Sequence, residues 1–474
     1  MRTQNLLWLK LAVLVLAVGL AAGAFSVIRN GYRRRANAPW EAYRLELEAS
    51  GELLSLAEIE ALRPTVLPDD SAALVVENLA EKLGLLKAEA WQMVPLFSKE
   101  LEHIDPFVGI PQSAVEPMRA FLQEHQDTSD ALLRLRDLTG ARLTRVSYDF
   151  PGDNPFVVTL PSLRPWVDAG KLQHLLALSH LIDGDTDRAA DAVAVQFGVA
   201  STLRNEPGMM MQSVRGRVLR GAVSAIEAVL RVGELDQERL DELAALIDVQ
   251  LKSLSPRIGM QFERACMIRL FDGLAAGTVQ LSDVYYEPTL SRLGHVSLVE
   301  FRDAQLLITK TWTELIEVAD DPAELVAVAT RLNLAVSPLS MPGRMFLLAG
   351  TWMPGGAFAD NSVRAVAELR CARAALACER YRLSHNRLPQ SFAELIPDFV
   401  DSAPIDPFTG EPLSFITTEV GIAVYSVGPN MTDDGGDFTI PRREYHSPDI
   451  GFRLARQEKR GTIVAEAAPP VESP

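Results

Sequence analysis

HLIDGDTDRAADAVAVQFGVA at 180–200 and VLRVGELDQERLDELAALIDV at 229–249 share one layout: a helix end, a Gly-acidic turn and a second helix. On both sides of each turn, apolar residues recur at three- and four-residue spacing, the period of an amphipathic helix. A helix pair of this kind buries its apolar face only against a neighbouring pair, which is the logic of helical solenoids. The spacing is long for tetratricopeptide repeats and no repeat consensus is present. The expectation is therefore a mainly α protein of stacked helical hairpins, without a named repeat family. Working outward, the same period predicts helices over 113–125, 128–138, 170–183, 187–204, 211–232, 236–254, 260–275, 297–318 and 322–333. A further helix is expected through AALVVENLAEKLGLL, N-capped by Asp or Ser of the preceding PDDS. The exception is RVSYDFPGDNPFVVTLPSL at 145–163, which mixes β-branched residues with Pro and Gly and reads as a loop or short hairpin.

The 474 residues are 48% hydrophobic and 23% charged, a globular composition with enough chain for more than one domain. A formal net charge of −16 speaks against a nucleic-acid partner, because phosphate contacts need clustered Lys and Arg. Cys266, Cys371 and Cys378 are too few for a disulfide framework. Cys371 and Cys378 fall two turns apart on one predicted helix, roughly 10 Å along its axis, beyond disulfide reach. They are expected to be small core residues.

The run LAVLVLAVGLAAGAFSVI at 11–28 carries no charge, and residues 6–9 lengthen it, with Lys10 able to snorkel. It reads as a single membrane-spanning helix. A signal peptide is the alternative: Arg2 and Lys10 as the charged n-region, 11–20 as the apolar core, and Ala22-Gly23-Ala24 as the cleavage site. Arg29, Arg33, Arg34 and Arg35 follow the run, and by the positive-inside rule they favour a cytoplasmic body. The signal-like layout points the other way, and a body on the periplasmic side of the cell membrane is expected. The chain then divides into an anchor or signal segment at 1–35, a helical domain at 36–350, a small α+β module at 361–456 and a polar, Pro-rich, disordered tail at 457–474.

Signatures of the common hydrolases, kinases and nucleotide-binding folds are absent from the sequence. Glu100 and His103 form a lone Glu-x-x-His pair, whereas a carboxylate di-metal bundle needs two, so ordinary surface residues are expected. His174 and His180 are six apart and on different helix faces, a poor metal pair. Asp183, Asp185 and Asp187 imitate the start of a calcium loop but lack its closing glutamate, and an Asp N-cap fits better. Arg215, Arg217 and Arg220 could meet a phosphate, though a solvated face is the plainer reading.

The C-terminal region is organised differently. Val363, Ala367, Cys371, Ala374, Cys378 and Tyr381 make an apolar stripe that predicts a helix over 362–385. Ser391 and Glu394 fit a capping box opening a short second helix. After the turn-rich PIDPFTGEPL at 404–413, LSFIT at 413–417 and IAVYSV at 422–427 read as a strand hairpin, followed by GPNMTDDGGD at 428–437 and PDI at 448–450. The order of YRLSHNRLP, DPFTGEPL, YSVGPN, DDGGD and DI resembles the globular part of the major pseudopilins of type II secretion, over about residues 361–453. That resemblance implies a long helix, a small antiparallel sheet and a glycine-rich calcium loop, here with Asn430, Asp433, Asp434 and Asp437 as oxygen ligands. Asn430 stands where the family has an aspartate. The apolar run also lies far upstream of this helix and lacks the pseudopilin processing site, so a grafted module for docking or stability is expected rather than a polymerising subunit. The functional expectation is a bacterial envelope protein of structural or interaction type. Its partners would be the membrane and envelope proteins of a secretion or pilus-like assembly. The alternative is an envelope hydrolase with its site among the helices.

Overall fold

The structure is a computed structural model and describes residues 2–66, 71–84, 107, 109–136, 144–146, 162–284, 296–335, 356–438 and 449–464, without the side chains of 2–21, 333–335 and 356–359. It is mainly helical with one small three-stranded antiparallel sheet. Glu100 and His103, most of 145–163, all of 336–355 and the tail after 464 lie outside the described residues. By contrast 457–464, the start of the expected disordered tail, are packed, with Ile463 buried and its carbonyl accepting from the Ile110 N–H at 2.8 Å.

The first helix, α1 (Arg2–Ala49), runs unbroken for 48 residues, about 72 Å at 1.5 Å per residue. Its two ends have different surroundings. Phe25, Val27 and Ile28 are 65%, 72% and 70% exposed, whereas Ala36, Trp40 and Leu47 are buried against the body. Arg264 fixes the chain just after the helix. Its guanidinium is fully buried and donates to Glu52 Oε2 at 2.6 Å, to the Leu53 carbonyl at 3.0 Å and to Thr313 Oγ1 at 2.9 Å. Short helices follow: α2 (Leu56–Leu62), α3 (Ala73–Asn78), α4 (Ala80–Gly84), α5 (Gln112–Glu124) and α6 (Gln126–Leu132). The helix expected through AALVVENLAEKLGLL is thus two short pieces, broken at Leu79, which is where α3 ends.

The two quoted stretches form helical hairpins. The first joins α7 (Arg164–Ile182) to α8 (Thr186–Ser201). Gly184 supplies the left-handed turn at φ 77°, and Asp185 caps α8 by accepting from the Arg188 N–H at 3.0 Å. The second joins α9 (Met209–Val232) to α10 (Gln237–Ser253), with Asp236 capping α10 from the Arg239 N–H at 2.9 Å. Helix α8 lies against α7, α9 and α10, so it is buried along nearly all its length. A third pair, α11 (Arg257–Ala276) and α12 (Leu298–Glu317), packs beside α1, and α13 (Pro322–Ala335) follows.

The long C-terminal helix α14 (Gly356–His385) takes the next place in this stack, against α9, α10 and α13. One apolar stripe was expected on it. Leu369, Ala372, Ala375, Leu376 and Ala377 are buried as well, because helices cover some of its faces and the sheet covers another. Small side chains let that many neighbours approach a single helix, which is why it carries so many Ala and two Cys. All three cysteines are buried and unbridged, as core residues should be. The sheet comprises β1 (Ser414–Thr417), β2 (Gly421–Ser426) and β3 (Ile450–Ala455), in the order β1-β2-β3, with Phe415 opposite Val424 and Val424 opposite Phe452. Strand β3 was not foreseen, although Ile450, Phe452 and Leu454 alternate inward. The capping box at Ser391 does not form: its side chain makes no cap, and Glu394 instead accepts from Tyr381 Oη at 2.8 Å and from Arg387 at 2.7 Å. One continuous apolar core runs from α3 through α7–α10 into α14 and the sheet, so the two expected domains share their interior.

Glu263 on α11 lies near the Met209 amide at the start of α9, where Gly208 provides no side-chain cap. Burial pushes its carboxyl up to about 7, only partly offset by that amide. A raised carboxyl pKa favours the fold fully at pH values below the ordinary 4.5 and withdraws that support as pH rises towards 7. Glu263→Gln should therefore gain stability over wild type across this window, by up to about 3 kcal/mol at pH 8. Urea titrations at pH 4.5 and pH 8 measure the difference, and a pH-independent difference would contradict the shift.

Candidate functional site

The 427–438 loop leaves β2 and is anchored by two buried aspartates. Asp406, in the Asp-Pro-Phe turn, accepts from the Phe408 N–H at 2.8 Å, from Ser426 Oγ at 2.8 Å and from the Val427 N–H at 3.0 Å, tying the turn to the end of β2. Asp449, just before β3, accepts from the Asp434 N–H at 3.4 Å and from the Gly436 N–H at 2.7 Å. Gly435 and Gly436, at φ 75° and 78°, give the curl that turns these amides towards Asp449. Burial raises the Asp449 carboxyl, the amides of Gly436 and Asp434 counter it, and the charges of Asp433 and Asp434 raise it again.

Of the four expected ligands, Asn430 and Asp434 are brought together, with Asn430 Nδ2 donating to Asp434 Oδ2 at 2.9 Å. Asp433 turns towards the sheet and accepts from Tyr425 Oη and the Gly435 N–H, both at 2.9 Å. Burial, then the bond to Asp433, pushes the Tyr425 phenol up to about 12. The Asp437 carbonyl accepts from the Asp449 N–H at 3.3 Å. The oxygen chemistry fits calcium, but among the described residues no three His, Cys, Asp or Glu side chains are placed to hold a metal. Asp449 and Asp406 are the residues that organise the loop. Their only sequence signals were the isolated DI and DPFTG.

The other candidates are structural or lie elsewhere. His174 is half-buried on α7 with Nδ1 3.0 Å from the Gly221 carbonyl, and desolvation lowers its pKa. Asp185 is the N-cap already described. Arg215 is not on a solvated face. It is fully buried and donates to the Ser253 carbonyl at 2.9 Å, Gln250 Oε1 at 2.8 Å and Ser253 Oγ at 2.6 Å, closing the C-terminus of α10. Arg217 and Arg220 line a cleft of about 410 Å³ between α9, the α10–α11 turn and the first turns of α14. No family model, curated protein or solved structure matches the chain.

Proposed function

We propose that this is a membrane-anchored bacterial envelope protein of structural or interaction type, with its helical body outside the cytoplasm. The observation that carries the reading is the asymmetry of α1. The helix is continuous, its apolar residues at 25–28 stand uncovered, and from Ala36 onward it is packed into the body and secured beside Arg264. Tyr32 lies between the two parts, a residue type enriched at membrane–water interfaces. Among the described residues no helix is long and apolar enough to cross a membrane. Most of the uncharged run at 11–28 falls on residues whose side chains are outside that set.

The C-terminal module is proposed as a docking element for a secretion or pilus-like assembly, on its resemblance to major pseudopilins. Cross-linking in intact cells, followed by capture from detergent extracts, should recover components of such an assembly. Recovery of none would count against the docking role. Calcium belongs to the same proposal, drawn to Asn430, Asp433, Asp434 and Asp437. An ion present at a hundred times its dissociation constant would stabilise the fold by about 2.7 kcal/mol. The full chain should then melt higher in millimolar calcium than in chelator, and Asp437→Ala should remove the difference. Equal melting of the wild type in both would exclude the site.

A further inference from the structure

We infer that Arg29, Arg33, Arg34 and Arg35 form a collar on α1 that binds the headgroups of anionic phospholipids where the body leaves the membrane. The inference rests on the anchoring role proposed above and names the lipid class that the anchor meets. Residues 1–40 contain six of the 46 basic residues and none of the 62 acidic ones, the first of which is Glu41. Charge is therefore split sharply along one continuous helix, positive beside the apolar run and negative beyond it.

All four arginines are exposed, and none has a hydrogen bond or ion pair among the described residues, whereas Arg44 on the same helix pairs with Glu48 at 2.8 Å. The body does not cover them, since burial on the described part of α1 begins with Ala36. At about 100° per residue, Arg33, Arg34 and Arg35 stand roughly 40°, 140° and 240° around the axis from Arg29. They encircle the helix rather than share a face. A protein partner would cover one side, whereas headgroups surround a helix on every side, and a ring of cations fits the second arrangement. The height matches as well. Residues 6–28 rise about 34 Å along the helix, enough for a hydrocarbon core of about 30 Å, which brings Arg29 to its edge. From Arg29 to Arg35 the helix rises about 9 Å, comparable with a headgroup layer roughly 5–7 Å deep. The planar guanidinium fork suits phosphate, and the long arginine stem lets it reach into that layer. An anionic headgroup adds the net charge that a zwitterionic one lacks, and basic residues beside a membrane span gain from it. This attraction acts at either face of the membrane, so it agrees with a body outside the cytoplasm.

The test reconstitutes the full chain in phosphatidylcholine vesicles. Trace phosphatidylglycerol or phosphatidylcholine carrying a nitroxide on its acyl chain is added, and electron spin resonance measures the fraction immobilised by the protein. Immobilised phosphatidylcholine establishes that the helix is in the bilayer. At low salt phosphatidylglycerol should be favoured about fivefold, the gain expected from one arginine beside a charged headgroup. The preference should fall towards unity in about 1 M salt, where the screening length is about 3 Å. It should also vanish in the variant carrying Arg29→Gln, Arg33→Gln, Arg34→Gln and Arg35→Gln, whose immobilised phosphatidylcholine stays as in the wild type. Equal immobilisation of the two lipids at low salt, or a preference that survives in the variant, would overturn the collar and leave the anchor standing. No immobilised component with either lipid would overturn the anchor and the collar together.

Discussion

Glu379→Ala should lower the free energy of unfolding by about 3–5 kcal/mol, because it strands two guanidiniums in the interior. The Glu379 carboxylate is fully buried on α14 between Arg382, at 2.9 and 3.0 Å, and Arg460, at 2.6 and 2.7 Å. Arg460 also donates to the Gly233 carbonyl at 2.9 Å, and Arg382 pairs with Glu234, both in the α9–α10 turn. The pair of forks therefore joins three separate pieces of chain: α14, the segment after β3 and a hairpin turn. Burial alone would raise the Glu379 carboxyl, but the bonds from Arg460 and Arg382 outweigh it and hold the pKa below the usual 4.5. A lowered carboxyl pKa contributes stability above 4.5 and loses it as pH falls below that value, the reverse of Glu263. Urea unfolding at pH 7 and pH 3 should show the Glu379→Ala penalty shrinking with acid. A penalty below about 1 kcal/mol at pH 7 would mean the cluster is not desolvated.

Gly198→Ala should cost about 3 kcal/mol or more, at the upper end of overpacking substitutions. A Cβ there would lie 2.0 Å from the Leu135 carbonyl oxygen, and that neighbour is backbone that cannot rotate away. Gly198 is what lets α8 approach the 133–135 turn, so the substitution must push two elements apart. Gly216→Ala on α9 is the matched control, since among the described residues its Cβ would meet only the Ala365 Cβ, at an ordinary 3.7 Å. Replacing glycine inside a helix should there gain up to about 1 kcal/mol. Thermal melts of the two variants should move in opposite directions, and similar shifts would contradict the packing described.

The parts of this fold legible in the sequence are those fixed by local chemistry. Asp185 and Asp236 announce their helices because an N-cap needs only the next turn, and Gly184 marks the reversal. Long-range partners were not legible. Arg382 lies within one turn of Glu379, but nothing near either residue announces Arg460. Asp449 reaches back to the amides of Asp434 and Gly436 across a segment whose residues give no sign of the contact. The stripe on α14 shows only part of its buried surface, since one-sided periodicity assumes solvent opposite, and here that side faces other helices. Arginine is usually solvated, and the acceptors that bury Arg215, Gln250 and Ser253 on α10, are brought to it by tertiary packing.

The anchoring role of α1 is tested most directly by alkaline carbonate extraction of membranes from cells expressing the full chain or a variant lacking residues 1–35. That cut removes the exposed Phe25, Val27 and Ile28 and stops before Ala36, the first buried residue of the described set. The full chain should remain in the membrane pellet, while the shortened protein should be released, folded, with its melting temperature essentially unchanged. Release of the full chain by carbonate, or a mature protein whose first residue is Phe25, would contradict the anchor.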